Sequence, residues 1–165
     1  MSLAIPKHWR WRAQPRPGPG PAIVFDIDGV LSDATGRQHF LDGPGPRDWK
    51  GFFDACDQDP LIEETARLTE LIDPAVTVVL LTGRPLRVQM KTLDWLARHP
   101  LRWDLLVMRP SGDYSAALEF KRLTVADLRE RGFDPRLAVE DDLRNRDMLR
   151  EEGVPCIYID SGYYP

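Results

Sequence analysis

Five short stretches of continuous apolar residues are spaced along the chain, each followed by a polar or acidic break. They are Ala22-Ile23-Val24-Phe25, Val76 to Leu81, Leu105 to Met108, Leu137-Ala138-Val139 and Cys156 to Ile159. Runs that are short, β-rich and apolar throughout, rather than alternating, predict strands buried on both faces, as in a parallel sheet. The stretches between them change period. Residues 61–73 carry Leu61, Ile62, Leu68, Leu71 and Ile72 at helical spacing, with Glu63, Glu64 and Glu70 outside the stripe. Residues 86–99 predict a helix with Val88, Leu93 and Leu96 in the core. Further helices are expected over 116–131, where Gly132 supplies the stop, and over 143–152. Strands alternating with helices predict an α/β, Rossmann-like open parallel sheet of five strands flanked by helices.

Two segments fall outside this rhythm. Residues 32–60 contain Gly36, Gly43, Pro44, Gly45 and Pro46, which break regular elements, followed by an aromatic cluster of Trp49, Phe52 and Phe53 on a short expected helix. This reads as a small lid over the strand ends, far below the size of an independent cap domain. Residues 1–21 end in PRPGPGP, an extended linker, after an interleaved His8-Trp9-Arg10-Trp11-Arg12. Such an arm could stack on bases while its guanidiniums meet phosphates. The plainer reading, preferred because composition alone is weak evidence, has the tryptophans packing on the domain. The expected division is therefore an arm and linker over 1–21 and one domain over 22–165.

Composition narrows the class. A chain of 165 residues with 29% charged and 42% hydrophobic residues suits one soluble domain with a real core. No apolar stretch approaches the ~18 residues of a membrane helix, and no apolar export core opens the chain, so no membrane partner and a cytoplasmic location are expected. Cys56 and Cys156 form no metal-type pair and read as buried thiols in a reducing compartment. The net charge of −4 hides an asymmetry, because Lys7, Arg10, Arg12 and Arg16 lie in an arm with no acid. The body keeps 18 basic against 26 acidic residues, a formal −8. That balance suits a cation-dependent site and argues against a broad basic groove for duplex DNA.

The candidate chemistry sits at the breaks. The first run ends in Asp26-Ile27-Asp28-Gly29. Carboxylates at i and i+2 at a strand end point to one side, repel each other, and need compensation once buried. A divalent cation is the usual compensation; an Asp-rich capping turn is the structural alternative. Gly29 lets the chain turn sharply and leaves the acids open. The second run ends in Thr82-Gly83-Arg84-Pro85, which reads either as an oxyanion-binding turn or as an ordinary turn with Thr82 as N-cap. Arg37 and Arg47 are the lid's anion-binding candidates, although a solvated arginine is the default for each. Lys121 rides a long charged helix, where solvation is again the default. Glu140-Asp141-Asp142 repeats the crowding of acids at a strand end, and Arg109 to Tyr114 forms a turn after the third run. All but Lys121 fall on the C-terminal edge of the expected sheet, where ligands bind.

From Ala22 onward these residues resemble the haloacid dehalogenase superfamily of phosphotransferases. The four signature elements occur in order: Asp26-Ile27-Asp28-Gly29, Thr82, Lys121 and the acidic strand end at Asp141. Within the superfamily the chain looks most like the 3′-phosphatase domain of phage polynucleotide kinase-phosphatase. That closer likeness rests on Gly36-Arg37, Thr82-Gly83-Arg84, Gly112-Asp113 ahead of Lys121, Leu137 to Asp141, and the ending Ser161-Gly162.

The resemblance implies a two-step phosphoryl transfer. Asp26 would be the nucleophile that carries an aspartyl-phosphate, and Asp28 the group that gives and then takes a proton. Mg²⁺ would be held by Asp26, the Asp28 carbonyl and Asp141, with Glu140 and Asp142 in supporting positions. Thr82 and Lys121 would bind phosphoryl oxygens, and Arg37, Gly83 and Arg84 the substrate. Two departures stand out. The related phosphatases have an acid about one helical turn before the lysine, where this chain has Ala117, and Glu119 would reach only with altered geometry. No Gly-rich phosphate loop followed by Lys-Ser/Thr occurs, so a separate kinase or ligase is expected to act in the same pathway.

The leading expectation is a Mg²⁺-dependent phosphatase acting on a phosphorylated nucleic-acid end or a nucleotide in nucleic-acid repair. A small-molecule phosphomonoesterase such as a 5′-nucleotidase is the alternative enzyme. A non-catalytic binding module that keeps the fold is the alternative of another class.

Overall fold

The structure is a computed structural model that describes residues 3–113 and 115–165; Tyr114, in the turn after the third apolar run, lies outside the described residues. Its strands are β1 (Trp9–Trp11), β2 (Gly20–Phe25), β3 (Thr77–Pro85), β4 (Leu105–Arg109), β5 (Phe133–Glu140) and β6 (Cys156–Tyr158). The helices are α1 (Trp49–Asp54), α2 (Glu63–Leu71), α3 (Gln89–Arg98), α4 (Ala117–Glu130) and α5 (Leu143–Glu151). The sheet order is β1-β4-β3-β2-β5-β6, and every pairing is parallel except β1 with β4. This is the expected α/β architecture with helices on both faces and no large cap.

The sixth strand comes from the arm. Trp9 and Trp11 lie two apart and share one face, while Arg10 points outward, so Trp-Arg-Trp is itself a period-2 strand pattern. Trp9 pairs with Val107 and Trp11 with Leu105. Both tryptophans are buried; Trp11 packs 5.7 Å from the Phe133 ring and the Arg131 guanidinium lies 4.9 Å over Trp9. Their rings are therefore core and not available to bases.

The apolar runs do become the sheet interior. One core layer joins Ile23, Phe25, Val78 and Leu80 to Trp95, Leu96 and the lid aromatics Phe52 and Phe53. The other joins Val24, Val79 and Leu81 to Trp9, Trp11, Phe120, Leu128 and Leu149. The stripe expected on residues 61–73 forms only in part: Leu61 and Ile72 pack against the first core layer and Ile62 is half-buried, but Leu71 is 76% exposed and Leu68 is also exposed, while Thr65, Ala66 and Thr69 are buried. The helix begins only at Glu63, and small residues let its backbone approach closely enough for Thr65 to donate to the Val30 carbonyl. In α3, Val88 and Leu96 flank the helix core as expected and Leu93 is half-buried, but the largest buried side chain is Trp95. Cys56 and Cys156 are free and buried.

Candidate active site

The chain leaves β2 at the sheet centre with Asp26, whose backbone N–H still bonds to Val139 O at 3.0 Å. It then turns at once: the N–H groups of Leu31 and Ser32 both bond back to the Ile27 carbonyl, at 2.8 and 2.9 Å. Gly29 makes this possible twice over. Its φ is +81°, and a Cβ placed there would lie 2.1 Å from Asp141 Oδ2. A side chain would therefore be strained by its backbone and driven into the second acidic strand end.

Three acids converge in that space. One oxygen each from Asp26, Glu140 and Asp141 lies within 4.8 Å of the others, and all three residues are buried. Lys121 reaches in from α4 and divides its ammonium between Glu140 Oε2 at 2.8 Å and Asp26 Oδ1 at 3.1 Å. The Ile27 N–H also donates to Asp26 Oδ1, at 2.8 Å. Asp141 Oδ2 accepts from Ser161 Oγ at 2.7 Å, but its Oδ1 is buried with no hydrogen-bond partner among the described residues.

The electrostatics follow from the crowding. Burial, then the neighbouring Glu140, pushes the Asp26 carboxyl well above the usual range despite Lys121. Burial also raises Asp141, to about 7, with Ser161 opposing and Glu140 reinforcing. Burial would raise Glu140 too, yet Lys121 overcomes it and holds Glu140 low. Lys121 is held charged in turn: burial favours the neutral amine, but Asp26 and Glu140 outweigh it. Acids that resist ionisation, together with an orphaned buried carboxylate oxygen, fit a bound divalent cation. Asp26 and Asp141 would hold it with the Asp28 carbonyl, and it would supply positive charge where phosphate charge develops.

Asp28 belongs to a second, separate network. Its Oδ1 accepts from Arg37 Nη2 and Arg84 Nη2, both at 2.7 Å. Burial would raise this carboxyl, but Arg84 and Arg37 together hold it down at about 2. Neither arginine reaches solvent, with side chains 3% and 0% exposed. Arg37 also binds buried Asp59 in a fork, Nε to Oδ1 at 2.8 Å and Nη2 to Oδ2 at 2.6 Å. Ser32 Oγ donates to Asp59 Oδ2 at 2.5 Å and accepts from Arg84 Nη2 at 3.2 Å. Arg37 and Arg84, expected toward substrate, are thus turned toward Asp28.

Thr82 is buried at the end of β3, where its Oγ1 accepts from the Arg84 N–H at 3.1 Å. Gly83 lies beside α4, with Ala117 Cβ 3.6 Å from where its own Cβ would be. Asp142 caps α5 by accepting from the Arg144 N–H at 2.9 Å, and its carboxylate also pairs with the Arg144 side chain. Glu140, expected in a supporting position, stands in the acid cluster itself. Asp59 and Ser32 had no signal in the sequence, because they lie in the irregular lid region where no period marks a buried face. Ser161 was visible only as part of the terminal Ser-Gly pair.

A central parallel strand ending in paired aspartates, answered by a buried lysine and an acidic strand end, defines the haloacid dehalogenase-like phosphatase class. At the level of fold, a haloacid dehalogenase-like family hydrolase from Streptococcus pneumoniae superposes with a TM-score of 0.58 over 82% of both chains, at 14% identity. The chain belongs to the family described as the polynucleotide kinase PNKP phosphatase domain, which matches residues 20–164. Two structures of Pnkp1 are more similar in sequence. In the Pnkp1/Rnl/Hen1 RNA repair complex it is 26% identical over 91% of this chain and 45% of that one, with a TM-score of 0.68. In a second Pnkp1/Rnl/Hen1 complex the identity is 26%, the shares are 89% and 47%, and the TM-score is 0.68. The chain thus spans just under half the length of these relatives. Comparison of the sequence with curated proteins yields no match. No helix among the described residues is long and apolar enough to cross a membrane.

Proposed function

We propose that the chain is a Mg²⁺-dependent phosphomonoesterase that removes 3′-phosphates from polynucleotides or nucleotides. The carrying observation is the buried meeting of Asp26, Lys121 and Asp141 at the end of the central strand, in a chain of the PNKP phosphatase family. Asp26 attacks phosphorus, the ester P–O bond breaks, and an aspartyl-phosphate forms on its carboxylate. Lys121 and Thr82 steady the phosphoryl oxygens as charge moves onto them. The departing alkoxide takes a proton from Asp28. Water then attacks the aspartyl-phosphate, Asp28 takes the water's proton, and phosphate leaves with the Asp26 carboxylate restored.

The arginine clamp adds a condition to the proton step. Between two guanidiniums Asp28 is ionised at neutral pH and ready to accept a proton, not to give one. A substrate phosphate that draws one guanidinium away releases the carboxylate to carry a proton, which gives Arg37 and Arg84 a substrate-dependent role. The small lid leaves room for a polymer end. Pnkp1 is found in the Pnkp1/Rnl/Hen1 RNA repair complex, which supports a reading in which this chain works beside a separate kinase or ligase.

The test is phosphate release with Mg²⁺ from a 3′-phosphorylated oligonucleotide, set beside 3′- and 5′-mononucleotides. Turnover of the oligonucleotide that disappears in Asp26→Asn is the expected result. Turnover confined to 5′-mononucleotides would replace the 3′-end reading with a nucleotidase. Equal activity in wild type and Asp26→Asn would overturn the mechanism.

A further inference from the structure

The lid helix carries a surface that the chemistry above does not use. Trp49 is 46% exposed, yet its ring is fixed. It stacks on Phe53 with centroids 5.9 Å apart and 24° between the planes, and it meets Phe52 edge-on at 5.8 Å. At the C-terminal end of the same helix three cations converge on one acid. Lys50 Nζ lies 2.7 Å from Asp54 Oδ2, Arg87 pairs with Asp54 Oδ1, and Lys91 donates to the Asp54 carbonyl. Lys50 and Arg87 thus share one carboxylate, and Lys91 meets only the backbone oxygen of the same residue.

This surface adjoins the site through both arginines that hold Asp28. Arg87 lies three residues beyond Arg84, just past the end of β3. Arg37 lies 4.3 Å over the Phe52 ring and donates to the Phe52 carbonyl at 3.0 Å. A half-open aromatic face, packed on Phe52 and Phe53 beside three cations that share one acidic residue, matches single-stranded nucleic acid: any base can stack on the ring, and phosphates meet the cations. Inside a duplex each base face is already stacked on its neighbours, so successive nucleotides can reach such a ring only from a single strand.

We propose that Trp49, Lys50, Arg87 and Lys91 form the binding track for the nucleotides that precede the terminal phosphate of a single-stranded polynucleotide. The track rests on the phosphatase reading and extends it from the reacting phosphate to the strand behind it. It makes the lid the part of the enzyme that tells a polymer end from a mononucleotide.

The test compares wild type, Trp49→Ala and Lys50→Gln/Lys91→Gln on a 3′-phosphorylated single-stranded oligonucleotide and a 3′-mononucleotide. Trp49→Ala is expected to lower the oligonucleotide-to-mononucleotide ratio of kcat/KM about tenfold. The double variant is expected to reduce the log–log salt slope of oligonucleotide binding by about 1.4, or ~0.7 for each lost phosphate contact. Anisotropy of a labelled 3′-phosphorylated oligonucleotide reads the track without turnover. Equal binding by wild type and both variants overturns the track, whether or not the oligonucleotide is hydrolysed. Binding weakened in the variants, with no ester hydrolysed by wild type, overturns the phosphatase reading and leaves the track standing.

Discussion

Asp28, just past the end of β2, and Arg84, near the end of β3, form a partly buried ion pair, with Arg84 Nη2 at 2.7 Å and Nε at 3.1 Å from the same carboxylate oxygen. The arginine is fully buried, and Arg37 completes the clamp from the lid. Removing Arg84 leaves Asp28 and Asp59 to share Arg37 alone, with one negative charge in excess. Arg84→Gln is expected to lower unfolding free energy by about 3–5 kcal/mol in urea titrations. Arg84→Lys should recover only part of that loss, because an ammonium cannot reproduce the forked contact. Wild-type stability in Arg84→Gln would show that the pair contributes nothing.

The acid cluster makes a pH prediction of definite sign. Burial pushes the Asp141 carboxyl up to about 7 in the fold, from an ordinary value near 3.8. Between those values the folded protein holds a proton that the unfolded chain has released, so stability falls as pH rises. The metal-free protein is expected to lose about 3 kcal/mol from pH 4 to pH 7 on this account. Asp141→Asn should flatten most of that slope, and saturating Mg²⁺ should do the same in wild type. Melting temperatures with EDTA and with Mg²⁺ across the range measure both.

Gly29→Ala combines a φ of +81° with a Cβ 2.1 Å from Asp141 Oδ2. It is expected to weaken Mg²⁺ binding at least tenfold and to lower stability by roughly 1–3 kcal/mol. Calorimetric titration with Mg²⁺ checks the first effect. A titration unchanged from wild type would remove Gly29 from the site's construction.

Deleting residues 1–19 removes β1 and two buried tryptophans. Loss of a single large aromatic from a core costs about 3–5 kcal/mol, and an uncovered β4 would become an open sheet edge. The truncated chain is expected to melt well below the full chain and to self-associate in light scattering. A monomer of unchanged melting temperature would make the arm dispensable.

How much of this was legible in the sequence depended on whether a period was present. Continuous apolar runs marked five strands, because burial on both faces leaves no room for polar positions. The sixth, Trp9–Trp11, is only three residues long and sits ahead of a proline-rich linker, so its alternation was overshadowed by its charge. Helix α2 misled because its outermost leucines are exposed while threonines are buried; close backbone approach leaves no mark in hydropathy. The signature acids and Lys121 were legible as spacing and converge in space. Asp59 was not, since a single acid in an aperiodic loop gains meaning only when the fold sets it against Arg37 and Ser32.

The division of the site into two networks has a consequence for ion choice. On the lid side, Asp28 and Asp59 face Arg37 and Arg84, two charges of each sign, and the quartet is self-neutral. On the sheet side, Asp26, Glu140 and Asp141 face only Lys121, and full ionisation there leaves a surplus of two negative charges. Valence, as well as ionic radius, then selects the occupant. Potassium or sodium leaves the deficit half filled, and a lanthanide overshoots it and should bind tightly without supporting turnover. A dication closes the balance and favours the ionised carboxylates of Asp26 and Asp141, both of which burial pushes up, so its uptake should release acid into the buffer.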